Sequence, residues 1–136
     1  MSNVAMITGG AKRLGKAMGL YLASQNYDII LHCNTSIDDA QETKNEIEAL
    51  GRQCHICRFD LSNAQEFESV FHELPDLFKP VSLLIHNASV FLESDFRSLS
   101  QDDYDRDFLV HLKNPLFLTQ SFVKQVPSGQ VVMLLD

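Results

Sequence analysis

The sequence predicts an α/β fold, a doubly wound parallel sheet, and three observations carry that expectation. Strand-like and helix-like stretches alternate four times and then close on a strand. Several of the strands read as apolar on both faces, as expected where helices cover both sides of a parallel sheet. The first strand breaks at a glycine pair and runs directly into a helix, the junction at which such sheets bind ligands. Right-handed crossovers then give the strand order 3-2-1-4-5. The 136 residues suffice for one domain with a real apolar core and not for two, so 1–136 is read as a single unit.

The elements follow in order. Val4 to Thr8 is a short apolar strand ended by Gly9-Gly10. Leu14, Ala17, Met18, Tyr21 and Leu22 recur at helical spacing up to Gln25-Asn26. Tyr27 to Cys33 is a second strand, and Asp38 to Leu50 a helix closed by Gly51. Gln53 to Phe59 is a third strand, followed by Asp60-Leu61-Ser62 and a helix from about Ala64 to Leu74. Val81 to His86 is a fourth strand. After an irregular stretch from Asn87 to Ser100, Asp102 to Lys124 reads as a long helix interrupted near Pro115. Pro127-Ser128-Gly129 turns the chain into a fifth strand, Gln130 to Leu135.

Composition narrows the function. The net charge is −7, from 11 basic and 18 acidic residues, and each half of the chain has its own acidic excess. Such a surface repels nucleic acid and offers no basic stripe, although a local positive spot can still hold a phosphate. No apolar run reaches membrane-spanning length, and Met1-Ser2-Asn3 leads straight into the first strand rather than into a signal peptide. The cytoplasm is the expected location. Cys33, Cys54 and Cys57 are an odd set, read as free thiols in a reducing compartment. The Cys54–Cys57 spacing looks like a metal or redox pair, but strand alternation turns the two thiols to opposite faces and no second ligand pair follows, so no metal is expected.

The segment Thr8-Gly9-Gly10-Ala11-Lys12-Arg13-Leu14-Gly15 carries the most specific signal. A dinucleotide pyrophosphate needs close backbone approach and free N–H groups at a helix N-terminus. Gly9 and Gly10 permit the tight turn, and Gly15 lets the cofactor or the sheet come close. The segment resembles the TGxxxGxG turn of the short-chain dehydrogenase/reductase family, with Arg13 where the middle glycine usually stands. The variant TGGAKRLG is most similar to pteridine reductases, in which such an arginine lies beside the cofactor phosphates and the substrate. The resemblance implies a Rossmann-like fold, and Arg13 as an anion binder.

Strand two ends His32-Cys33-Asn34-Thr35-Ser36, with no acid before Asp38. A carboxylate there would favour NAD and repel a 2′-phosphate, so Asn34, Thr35 and Ser36, helped by Lys12 or Arg13, point to NADP(H). Thr35 replaces an arginine often present in pteridine reductases. By the same resemblance, Thr8, Gly9, Arg13, Leu14 and Gly15 belong to the cofactor turn, and Asp60-Leu61 is the family's DL pair, whose acid contacts adenine. A helix N-terminal acid stabilised by the dipole is the other reading of Asp60.

Asn87-Ala88-Ser89 occupies the family's NAG position, with Asn87 stabilising the sheet centre and Ala88 admitting the cofactor ribose. Asn87-Ala88-Ser89-Val90-Phe91 resembles the NASxF run of pteridine reductases, which implies that Ser89 and Phe91 bind substrate, the aromatic ring stacking on a pterin. His111 lies four residues before Pro115, where the family usually has an asparagine that supports a relay water; a histidine with a local partner is its plainer reading. Asp136 matches the aspartate with which pteridine reductases, together with a tyrosine, protonate the pterin. His111 and Asp136 are thus the catalytic candidates. The family's Tyr-x-x-x-Lys pair has no counterpart here, since Tyr21, Tyr27 and Tyr104 are followed four residues on by Gln25, Leu31 and Phe108. The resemblance is therefore read as extending to an N-terminal half only, with a sheet incomplete on its C-terminal side.

The expected activity is NADPH-dependent reduction of a dihydropteridine-like small molecule. A generic carbonyl reductase, such as one acting on a 3-oxoacyl substrate, is the alternative, discriminated by Arg13 and Asp136. A non-catalytic dinucleotide-binding fragment is the third reading. Relatives of this kind assemble as dimers or tetramers through the long helix, so a homo-oligomer is expected.

Overall fold

The computed structural model describes residues 3–63, 67–91 and 93–135. Five strands, β1 (Val4–Ile7), β2 (Asp28–Cys33), β3 (Cys54–Arg58), β4 (Leu83–His86) and β5 (Gln130–Met133), form one sheet in the order β3-β2-β1-β4-β5. Every neighbouring pair is parallel. The crossovers carry α1 (Arg13–Ser24), α2 (Ile37–Ala49), α3 (Glu68–His72) and a longer helical segment made of α4 (Gln101–Phe108) and α5 (Asn114–Gln125). The predicted order of elements and strands is the observed one. The incompleteness expected on the C-terminal side does not reach these strands: β5 is laddered onto β4 from Leu83↔Gln130 to His86↔Met133, and the five described strands make one unbroken sheet.

Alternation along each strand sorts the core into two layers. Val4, Met6, Ile30 and Leu84 face a cluster with Phe67, Phe71, Phe78, Val110, Leu118 and Phe122, from the side of α3 and α5. Ala5, Ile7, Ile29, Leu31, Leu83 and Ile85 face the opposite way, against Ala23 of α1 and Ile47 of α2. Both faces are dry, which is why these strands read as continuous apolar runs.

Two helical stretches refine the sequence reading. The helix expected from Ala64 is regular only from Glu68; Ala64, Gln65 and Glu66 lie outside the described residues. The long helix is interrupted just upstream of Pro115, by a π-helical turn over Leu109–Lys113. The proline ring crowds the carbonyl four residues back, that of His111, and has no N–H to give it, so the helix widens there before restarting at Asn114. No helix among the described residues is long and apolar enough to cross a membrane.

Candidate functional site

Strands β1 and β4 lie side by side while their chain connections run to opposite sides, so their carboxyl ends diverge and leave a crevice. A cleft of about 450 Å³ opens there. Its walls are the turn after β1, the loop after β2, the loop after β3 and the first residues beyond β4. Of the residues singled out from sequence, Gly9, Arg13, Leu14, Asn34, Thr35, Ser36, Asp60, Leu61, Asn87, Ala88 and Ser89 all line it.

The turn is held from behind. Thr8 is buried, and its Oγ1 accepts the N–H groups of Asn87 at 2.9 Å and Ala88 at 3.0 Å. The Asn87 amide donates in return to the carbonyls of Thr8 and Gly9, both at 3.1 Å. Thr8 and Asn87 thus clasp the ends of β1 and β4, and Thr8 serves the turn from outside the cleft lining. Gly9 takes φ +62°, a left-handed conformation that glycine adopts without strain. Gly15 is required by the turn itself: a Cβ there would collide with the Gly9 carbonyl oxygen and press on the Asn87 amide.

Arg13, the first residue of α1, also takes a left-handed conformation, φ +53°. This is the position where the turn it resembles usually has glycine, and a side chain there costs about 1–2 kcal/mol. The guanidinium is exposed on the cleft wall beside Lys12, whose ammonium lies 3.9 Å from Asp39. The first turn of α1 contains no acid, and its N-cap makes no side-chain capping bond. The helix therefore presents unneutralised N–H groups and two cations to one end of the cleft, a local anion site on an acidic protein.

The loop after β2 carries no carboxylate before Asp38. The Asn34 carbonyl accepts from Arg58 Nε at 2.8 Å, which brings a third cation to the Asn34–Ser36 loop. Across the cleft, Asp60 Oδ1 accepts from Ser62 N–H at 2.8 Å and Ser62 Oγ at 2.6 Å, and these bonds hold its carboxyl below the usual range. The helix-dipole reading of Asp60 is corrected, because α3 begins only at Glu68 and the acid instead closes a local turn. Asn114, buried at the start of α5, donates to the carbonyls of Leu61 at 2.7 Å and Asn63 at 2.8 Å and fixes this loop. Sequence reasoning gave Asn114 no role. It also passed over His32, which is buried in the cleft wall and pushed down to about 4 by desolvation.

The candidate substrate face is less assembled. Ser89 lines the cleft, whereas Phe91 is 86% exposed and stands outside it. His111 accepts the Val90 N–H on Nε2 at 3.2 Å, so it tethers the loop that bears Ser89 and Phe91, the local-partner role. Asp136 lies outside the described residues. The three cysteines are free, and burial pushes Cys54 up to about 12 and Cys57 to about 11, far from a reactive thiolate.

A profile of short chain dehydrogenases matches residues 3–134. The chain belongs to the short chain dehydrogenase family. Among solved structures it is similar to FolM alternative dihydrofolate reductase 1 from Brucella canis, complexed with NADP, at 34% identity and a TM-score of 0.89 over 98% of this chain and 55% of that one. It is also similar to a short chain dehydrogenase from Burkholderia cenocepacia in complex with NADP, at 25% identity and a TM-score of 0.88 over 95% of this chain and 53% of that one. A curated relative, the 3-oxoacyl-[acyl-carrier-protein] reductase FabG of Aggregatibacter actinomycetemcomitans, is 24% identical over 98% of this chain and 57% of its own length. The chain thus spans about half the length of these relatives. The expectation of a likeness to an N-terminal half only is corrected to this extent: the likeness to FolM runs through 98% of this chain, from β1 to β5.

Proposed function

We propose that this short chain dehydrogenase is an NADP(H)-dependent oxidoreductase that reduces a pterin-like ring. NADP(H) is the cofactor: the donors of the cleft suit it, with cations and free helix amides at the phosphate end and hydroxyl and amide side chains where NAD would require an acid. Relatives at 34% and 25% identity were solved with NADP. When bound, the cofactor supplies a hydride. Arg13 neutralises phosphate charge and reaches toward the substrate, and Lys12 and the Asn34–Ser36 loop take the 2′-phosphate. Asn87 and Ala88 keep the floor of the cleft shallow beside the ribose. Ser89 and Phe91 bind the ring, Phe91 swinging from its exposed position to stack on it. Asp136 delivers the proton that accompanies the hydride, with a tyrosine of the family's kind, and His111 holds the loop over the site.

The observation that carries the pterin reading is Arg13, kept in a left-handed conformation that glycine would adopt at no strain. Backbone strain retained at a cleft residue points to use of its side chain, and the likeness to a FolM dihydrofolate reductase agrees with that use. The free thiols fit a cytoplasmic setting, and the exposed apolar residues of α4 and α5, among them Phe108, Leu116 and Phe117, favour a homo-oligomer.

The test is NADPH consumption by the whole protein with a dihydropteridine, dihydrofolate and a 3-oxoacyl thioester offered in parallel. Turnover with the pterins at least about tenfold above the thioester supports the proposal, the ratio that roughly 1.4 kcal/mol of differential transition-state binding produces. The reverse ranking makes the protein a carbonyl reductase of the kind its likeness to FabG suggests.

A further inference from the structure

His32 is a buried polar group of the cleft wall that neither the sequence motifs nor the proposed chemistry uses. It sits in β2, 4% exposed, with its ring against that of Phe59 at a centroid distance of 4.1 Å. Its Nδ1 accepts the Gly9 N–H at 3.0 Å, and its Nε2 lies 2.8 Å from the Phe59 carbonyl oxygen. The backbone N–H can only donate and the carbonyl can only accept, so both contacts are satisfied by one species: a neutral imidazole with Nδ1 bare and Nε2 protonated. The Gly10 N–H adds a bond to the His32 carbonyl at 2.9 Å. Asp60 is the charged group set against the ring; the Cys57 thiol, its register partner on β3, is kept neutral by burial.

These bonds join the two walls of the cleft. Gly9 and Gly10 lead into the anion site at Lys12 and Arg13, while Phe59 leads into the Asp60–Ser62 loop on the other side. Gly9 spends its amide on the imidazole, so anion binding falls to the amides further along, at the start of α1, and their placement depends on how the imidazole seats the turn. We infer that His32 is a positioning residue for the cofactor: its bare Nδ1 holds the glycine turn in the conformation that receives the NADP(H) pyrophosphate. The inference rests on the NADP(H) reading above.

Two substitutions separate the halves of the imidazole. In His32→Asn the Oδ1 falls where Nδ1 was and can still accept the Gly9 N–H. In His32→Gln the terminal amide falls nearer the old Nε2, serving Phe59 and leaving Gly9 unmet. Titrating the whole protein with NADP⁺, His32→Gln is expected to bind roughly three- to tenfold more weakly than His32→Asn, the effect of one lost hydrogen bond. Urea denaturation without cofactor should rank the two variants close together. The ¹⁵N spectrum of the wild-type imidazole should show a bare Nδ1 and a protonated Nε2. Equal NADP⁺ affinities for the two variants, an affinity difference no larger than their stability difference, or a protonated Nδ1 in the wild type each overturn the inference. A wild-type protein that binds no NADP⁺ overturns the cofactor reading and the inference with it, whereas equal variants beside a binding wild type overturn the inference alone.

Discussion

Replacing Arg13 by glycine should make the protein more stable and worse at binding its cofactor. The left-handed φ of +53° costs a non-glycine residue about 1–2 kcal/mol, and glycine removes that cost. Glycine also gives the unfolded chain more freedom, which returns about 0.5–1 kcal/mol. The net gain is roughly 0.5–1 kcal/mol, or about 2–4 °C in Tm for a domain of this size. The guanidinium is exposed and no ion pair involving it is seen among the described residues, so its loss removes little from the fold. Its loss from the cleft removes a charge-assisted hydrogen bond worth about 1.5–3 kcal/mol, a roughly tenfold to hundredfold weaker NADP⁺ affinity. Arg13→Ala is the control, since alanine loses the charge and keeps the strained backbone. It should match the binding loss of Arg13→Gly without the stability gain. Urea denaturation and calorimetric titration read the two effects separately. If Arg13→Gly is no more stable than Arg13→Ala, the backbone is not strained; if NADP⁺ affinity is unchanged in both, Arg13 does not hold the phosphates.

The remaining predictions concern the residues behind the cleft. His32 and His86 are both buried and pushed down to about 4, against 6.5 for a free histidine, with desolvation the first cause in each. Well above pH 6.5 both are neutral folded or unfolded and contribute no pH dependence; as pH falls through 6.5 toward 4 the unfolded chain takes up protons the fold refuses, so stability drops by up to about 3 kcal/mol per site. Urea midpoints between neutral pH and pH 4.5 should fall accordingly, and less in His86→Leu; a flat profile refutes the assignment. Gly15→Ala should cost about 1–3 kcal/mol or more and abolish cofactor binding, because its Cβ meets the rigid Gly9 carbonyl rather than a movable side chain. Asn114→Leu leaves the carbonyls of Leu61 and Asn63 unmet and should cost about 1–3 kcal/mol, with amide exchange quickening at residues 61–63. Thr8→Val orphans the amides of Asn87 and Ala88 and should destabilise by a similar amount, read by denaturation.

The parts of the fold legible in the sequence are those set by neighbours along the chain. Apolar runs marked all five strands, and the Thr8–Gly15 segment marked the turn, because a tight turn and a helix start depend on residues within one or two turns of each other. Pro115 marked the break in the long helix, though not its π-helical form. The residues missed act across the chain. His32 reaches Gly9 over 23 residues and Phe59 over 27, and Asn114 reaches Leu61 over 53. A short polar side chain inside an apolar strand or at a helix start carries no local sign of a partner so far away. For Asp60, one of its two sequence readings fails for the complementary reason: an acid after a strand suggests a helix cap, and only the actual start of α3, at Glu68, shows that it closes its own loop. Phe91 was placed by motif alone, and the motif does not contain the conformation of the loop that carries it.

These long-range bonds explain why so acidic a protein can hold a multiply charged anion. A parallel sheet leaves unpaired backbone groups at the carboxyl ends of its strands, and in this crevice several of them are met by side chains in or behind the wall: Thr8, His32, Asn87 and Asn114. None of the four is formally charged as it stands, so the wall is satisfied without adding negative charge beside the ligand. The amides at the start of α1 stay free for an anion, with Lys12 and Arg13 beside them. Asp60 is a carboxylate of the cleft lining, whereas other acids of the −7 chain, such as Asp102, Asp103, Asp105 and Asp107 on α4, are not part of it. With a Debye length of about 8 Å at physiological ionic strength, remote carboxylates of that kind are largely screened from a phosphate in the cleft. Raising the salt should therefore weaken NADP⁺ binding through the nearby cations, rather than strengthen it by masking the distant acids. The sign of that dependence distinguishes a locally positive cleft from a cleft governed by the net charge.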